Sequence, residues 1–175
     1  MTLSKDWFRS ATRALSFQWP VPLFMAALPP EHLKLVENRK RALPLEHRVV
    51  WMHVSQRPSR AAFKAYCELA ARAGVPTELV PEYDCGALIK GRVAPPYGSI
   101  VGLLRFGIPL GVYDGVVRGP QDRWRIAGQH GYSVLDYAPL PEPVPCRGQL
   151  GLWRVPEDIR LPEVRSLRWR ASSGT

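Results

Sequence analysis

Apolar residues in this chain come in short bursts separated by prolines and glycines. Leu15-Ser-Phe17 reads as a short strand, stopped by Pro20 and Pro22. Leu23 to Leu28 follows as a short apolar helix that must end before Pro29-Pro30, because proline lacks an amide hydrogen and keeps the residue before it out of the α region. Leu35 to Arg39 and Arg48 to Val54 read as strands, with Pro44 and Glu46 in their connection. The clearest helix runs from about Ser59 to Arg72, with Pro58 near its start and Gly74 at its end. Phe63, Tyr66, Leu69, Ala70 and Ala73 recur at three- and four-residue spacing and form its buried face. Arg60, Lys64 and Arg72 line another face with Glu68 among them; a solvated face carrying an i,i+4 pair is favoured there over a phosphate-binding stripe.

The second half is irregular. Val75 to Pro96 carries Pro76, Pro81, Gly86, Gly91 and Pro95-Pro96, and a stretch of that length in a compact domain reads as a functional flap or an insertion. Ser99 to Phe106 and Leu110 to Val117 read as two strands separated by Gly107 and Pro109. Tyr132 to Tyr137 and Gln149 to Trp153 supply two more. Short strands with one or two helices predict an α+β fold built on a small barrel.

Composition narrows the class. A chain of 175 residues with 46% apolar and 22% charged positions fits one globular domain. The longest apolar runs, such as Val21 to Leu28, fall far short of the roughly 20 residues that span a bilayer. The first residues lack the basic-then-apolar order of a secretory signal, so a cytoplasmic protein is expected. Cys67, Cys85 and Cys146 are odd in number and widely spaced, which argues against a disulfide framework and a zinc site. His32, His47, His53 and His130 show no metal-binding spacing. No metal and no cofactor are implied.

Charge adds an ambiguity: 24 basic residues oppose 15 acidic ones for a net +9, and 19 of the 24 are arginine. Asn38 is the only asparagine and isoleucine is scarce, so GC-rich codon usage explains part of the excess. Nucleic-acid binding is the competing explanation, since arginine forks bind phosphates and stack on bases.

Three blocks stand in a suggestive order: Leu15-Ser-Phe-Gln-Trp-Pro20 before the apolar helix; Lys34-Leu-Val-Glu-Asn-Arg39 before a strand ending His53-Val-Ser55; and Gly128-Gln-His-Gly-Tyr132, followed by Pro143-Val-Pro-Cys-Arg-Gly148 and Leu150-Gly-Leu-Trp153. Together they resemble the ASCH family, whose members have a PUA-like β-barrel with a short helix after the first strand. The resemblance covers about residues 14 to 156, and 57 to 97 stands out as an insertion carrying an extra helix. Trp19 and Pro20 are exchanged relative to the usual order of the first block.

The resemblance implies a cleft between barrel and first helix, suited to a nucleotide or a flipped base. Similar proteins include RNA-binding modules, amidohydrolases of acetylated cytidine and members described as ribonucleases. In the amidohydrolase type the lysine of the second block is catalytic with the residue three positions on beside it, here Lys34 and Glu37. On a regular strand Lys34 and Glu37 point to opposite faces, so the two meet only if Lys34 sits in the turn before the strand. A lysine desolvated in a cleft has a lowered pKa and serves as base or nucleophile. The alternative for Glu37 and Arg39 is a structural ion pair.

Other candidate ligand contacts are Gln18, Trp19, Arg39, His53, Ser55 and Arg147. For Trp19, stacking on a base competes with core packing; for His53, a hydrogen-bonded barrel position is favoured over acid–base work. Trp153 is expected in the core. Peripheral nucleic-acid contacts are expected from Arg57, Arg60, Lys64, Arg168 and Arg170. The expected organisation is a basic extension over 1–13, one ASCH-type domain over 14–157, and a basic tail over 158–175. The leading expectation is RNA, nucleotide or modified-base recognition. A metal-independent hydrolase on the same cleft comes second. A protein-interaction or regulatory module, docking through the 75–96 segment and the tail, comes third.

Overall fold

The computed structural model describes residues 11–44, 49–81, 83 and 95–162, together with the backbone of 170–171. Its strands are β1 (Arg13–Phe17), β2 (Val36–Arg39), β3 (Val49–Val54), β4 (Ser99–Val112), β5 (His130–Pro145), β6 (Leu152–Arg154) and β7 (Arg170–Ala171). Two α-helices, α1 (Val21–Ala26) and α2 (Arg60–Arg72), and short 3₁₀ turns connect them. The strands form one sheet in the order β2-β5-β4-β3-β1-β6, with β7 also pairing β5. β1 and β3 are parallel, while the other pairs are antiparallel.

This sheet curls into a half-barrel. The side chains show why it must. Three strands lie between β2 and β1 in the order, yet Arg39 at the end of β2 donates from Nη2 to the Ser16 carbonyl on β1 at 3.1 Å. Every residue of β3 is buried, so both sheet faces are covered. Leu15, Phe17, Val50, Met52, Leu104, Phe106, Tyr132 and Val134 fill the concave face, joined by Val21 and Met25 of α1. Ala14, Trp51, Leu103, Ala138 and Trp153 pack on the convex face beneath Val155, Ile159 and Leu161.

The α+β class and the order of the first five elements follow the sequence pattern. The second half departs from it. The two strands expected over 99–106 and 110–117 are one continuous β4, whose register shifts around Pro109 absorb the glycine and proline. It ends at Val112, and 113–117 is not strand. β5 runs sixteen residues through four prolines. Ile100 pairs with Val144 and Gly102 with Pro139. Residues 140–143 therefore bulge out without β4 partners, and Pro141 and Pro143 remove no ladder bond. β6 is shorter than expected, since Leu150 is 99% exposed in the turn before it; Trp153 is buried as expected. In the expected tail, the β7 backbone pairs with Asp136 and Tyr137 of β5.

Within the expected insertion, Ser59 Oγ caps α2 by accepting from the Ala62 amide at 3.2 Å. Gly74, at φ +83°, ends it in a conformation that side-chain-bearing residues avoid. Phe63, Leu69 and Ala70 form its buried face as expected. Lys64 and Glu68 make the exposed i,i+4 pair. Arg72 is exposed on that face as expected, and it also reaches across: its Nε donates to Arg123 O at 2.9 Å and its Nη2 to Arg125 O, tying α2 to the 3₁₀ turn Pro120–Trp124.

Candidate functional site

β2 begins at Val36, leaving Lys34 in the approach to the strand. The Lys34 amide donates to Phe24 O of α1 at 2.9 Å, which fixes this approach against the helix. From there the side chain turns back, and Nζ donates to Val36 O and to Glu37 Oε2, the latter at 3.2 Å. Glu37 pairs across the sheet with Tyr132, a concave-face residue, so its carboxylate points into the curl. Arg39, two residues on, shares that face. Its Nε lies 2.8 Å from Glu37 Oε1, and its guanidinium stands 4.9 Å over the Phe17 ring.

The result is a line of three charges, Lys34–Glu37–Arg39, that closes β2 against β1. Lys34 is 1% and Glu37 5% exposed, while the Arg39 side chain keeps 20%. Two cations face one carboxylate away from water, where unbalanced charge is costly. Burial pushes the Lys34 amine below its ordinary pKa; the Glu37 charge and hydrogen bond oppose this, and the Arg39 charge adds to it. Nζ has two acceptors within the protein. A neutral amine has two N–H groups to match them and keeps a lone pair, whereas an ammonium has a third donor left over.

At the end of the sheet where β1 finishes, backbone bonds tie strand ends together into a rim. The Ser55 amide donates to Phe17 O, the Gly98 amide to Val54 O, and the Cys146 amide to Gly98 O. Gln18, Ser55 and Arg147 are thereby gathered at one end of the sheet, with Gln18 and Arg147 exposed. Arg57 and Arg60 follow Ser55 in the chain, and both guanidinia stack over the Tyr83 ring, at 4.6 and 4.8 Å. Lys64 is exposed on α2. Arg168 and the side chain of Arg170 lie outside the described residues.

Two expected contacts are enclosed. Trp19 is 5% exposed and packs between Val54 and Phe63, with no hydrogen-bond partner for its Nε1 among the described residues. His53 is 2% exposed and sits on the convex face, opposite to Phe17 and the charge cluster. Its Nε2 lies 2.9 Å from Cys146 O, which requires a proton on that nitrogen. Nδ1 is 3.1 Å from Ser16 Oγ, which accepts from Trp153 Nε1 and whose single proton is shared between Nδ1 and Gln149 O. His53 thus pins the loop that carries Arg147. Burial lowers its pKa, and the Cys146 carbonyl partly restores it.

The three- and four-residue spacing of α2 puts Tyr66 in the helix core, and the site adds a second role. Its phenol is pushed above its ordinary pKa by burial first, and then by the Glu37 charge against the opposing Arg39 charge. It therefore stands within electrostatic reach of the cluster. The helical period over 59–72 predicts Tyr66 on the inner face of α2; nothing local in the sequence joins it to Lys34 and Glu37.

Among the described residues no group of three or more His, Cys, Asp or Glu side chains is placed to hold a metal ion, and no helix is long and apolar enough to cross a membrane. No family model matches the chain, and no curated protein matches it.

Proposed function

We propose that this chain is a PUA-like module of the ASCH type that recognises RNA, or a nucleotide or modified base, at the junction of α1, β2 and the barrel. The observation that carries this reading is the Lys34–Glu37–Arg39 cluster, in which a buried and a half-buried cation share one buried carboxylate and Arg39 reaches β1 at the Ser16 carbonyl, while Gln18, Ser55 and Arg147 gather at the end of the sheet where β1 finishes. The cluster has one positive charge in excess when Lys34 is protonated, and an anionic ligand balances it. Arg39, its most exposed member, meets the ligand first. Arg57, Arg60 and Arg147 supply phosphate contacts along the rim. The net charge of +9 supports such a partner.

The test is a titration with RNA and DNA oligonucleotides of equal length at two salt concentrations. Affinity for RNA that exceeds affinity for DNA, falls steeply with salt and weakens on Arg39→Ala supports the proposal. Affinity matching that of an unrelated basic protein in both titrations overturns it.

A second reading is a metal-independent hydrolase that acts on RNA or on an acylated pyrimidine nucleoside. The lowered pKa of Lys34 and its match of two acceptors to two amine protons favour this reading. In it the Lys34 lone pair takes a proton or attacks a carbonyl, and Glu37 holds the amine in place. Incubation with labelled RNA and with N4-acetylcytidine decides it. Turnover lost in Lys34→Ala supports the reading; turnover that is absent, or unchanged by that substitution, removes it.

A further inference from the structure

Leu150 is 99% exposed, yet the loop that presents it is held along its length. The Cys146 amide donates to Gly98 O at 2.9 Å, and the Cys146 carbonyl accepts from His53 Nε2 at 2.9 Å. Gly148 lies so close to the His53 ring that no Cβ fits there. Gln149 O is 2.9 Å from Ser16 Oγ, and Gly151, at φ +71°, turns the chain into β6. Ser16 is also the residue whose carbonyl accepts from Arg39 Nη2. The loop and Arg39 therefore meet on one residue of β1, and Leu150 stands one position beyond the anchored Gln149.

We propose that Leu150 is a wedge that enters a base stack, and that the RNA taken at this rim is therefore base-paired. The proposal rests on the RNA-recognition reading of the proposed function and deepens it by naming the form of the RNA.

Three observations select this occupant. The first is the exposure itself. Among the described leucines only Leu135 is otherwise exposed, at 41%. Leu150 adds nothing to the core, and the backbone around it fixes its place, so little loop entropy is lost when it meets a ligand.

The second is its surroundings. Residues 16–20, 54–57, 97–99 and 144–151 are tied together at this end of the sheet, and they include no Asp or Glu. Gln18, Gln56, Arg147 and Gln149 are exposed among them, and such side chains donate to phosphates and to base edges. None of the other exposed large apolar side chains lies in these segments. A protein-docking centre would set Leu150 within a wider apolar patch. A single aliphatic side chain among phosphate and base contacts is instead the arrangement by which proteins unstack a base step.

The third is the chemistry of leucine. It has no π-face and makes a poor platform for an unpaired base. It acts by parting two bases that are already stacked, and the shallow minor groove of an A-form helix admits a loop tip.

The experiment titrates the full chain into an RNA hairpin carrying 2-aminopurine in its stem, and into an unpaired RNA of equal length. Fluorescence of the 2-aminopurine reads unstacking, and anisotropy reads binding. The variants are Leu150→Ala and Leu150→Met; the exposed position leaves the core untouched in both. The expected result is a rise in fluorescence on the hairpin that Leu150→Ala loses and Leu150→Met retains. Leu150→Ala should also weaken hairpin binding more than binding of the unpaired RNA. A hairpin bound without a rise, or a rise undiminished in Leu150→Ala, overturns the wedge and leaves the proposed function standing. Failure to retain either RNA defeats both. A change in sedimentation of the chain alone in Leu150→Ala, with the rise intact, makes Leu150 a protein contact and overturns the proposal.

Discussion

Lys34 Nζ lies 3.2 Å from Glu37 Oε2 although residues three apart on a regular strand point to opposite faces. The contact exists because β2 starts only at Val36 and the Lys34 amide is held by Phe24 O of α1. The pair is therefore a joint between helix and barrel as well as a charge pair, and its two members are not equivalent. Glu37 touches both cations, whereas Lys34 touches one carboxylate.

That asymmetry predicts unequal costs of substitution. Glu37→Gln leaves Lys34 and Arg39 without a counter-ion in a buried place, and we expect a loss of about 3 kcal/mol. Lys34→Met removes a desolvated cation while Glu37 keeps Arg39 within 2.8 Å. Its expected cost is about 1 kcal/mol or less. Urea unfolding of the two variants beside the parent chain measures both, and equal losses would contradict the arrangement.

The lowered pKa of Lys34 also has a signature in pH. Between its folded pKa and its ordinary value of 10.5 the unfolded chain holds a proton that the folded chain has released. Stability therefore rises with pH across that window, and the penalty is fully present below the folded pKa. Unfolding free energies measured from pH 7 upward should show a rise in the parent relative to Lys34→Met. A constant difference between the two would mean that Lys34 is not desolvated.

How much of this was legible in the sequence depends on distance along the chain. The turn position of Lys34 was readable, because prolines precede it and the strand alternation leaves no other way to meet Glu37. α2, its Ser59 start and the Lys64–Glu68 pair were readable from local periodicity and capping. The curl was not: it rests on Arg39 reaching Ser16 across three intervening strands, which no local pattern encodes. β4 and β5 depart from the local pattern for a related reason. Glycine and proline mark breaks in isolation, but paired strands absorb them in bulges, as residues 140–143 do. Tyr66 joins the site only because α2 packs with its ring against the concave core and within reach of the Glu37 charge, a packing relation invisible to spacing.

Arg72 is predicted to hold α2 in place. Its two carbonyl contacts join the helix to residues 123 and 125, more than fifty positions away. Arg72→Ala removes both and leaves those carbonyls without these donors, with an expected cost of about 2 kcal/mol. Hydrogen exchange should show the amides of α2 losing protection more than those of β3 and β4. Uniform loss across the barrel would place Arg72 in the global core instead.

The last prediction concerns His53 and Gly148. A Cβ added at Gly148 would overlap the His53 ring, so Gly148→Ala must displace either the imidazole or the loop. The ring is held at both nitrogens, by Cys146 O and Ser16 Oγ, and packs edge-on to Trp153 at 5.5 Å. It has little room to give, and we expect a loss of about 2 kcal/mol, within the range of overpacked cores. Protonation stresses the same point. Burial lowers the His53 pKa from 6.5, so as pH falls below 6.5 the unfolded chain takes up a proton that the folded chain resists. Stability then falls as pH drops toward the folded pKa and is unaffected by this residue above 6.5. His53→Gln should abolish that acid-side slope at some cost in baseline stability. Unfolding curves of the parent, Gly148→Ala and His53→Gln between pH 5 and pH 8 test both effects. An unchanged slope in His53→Gln would transfer the pH dependence to another group.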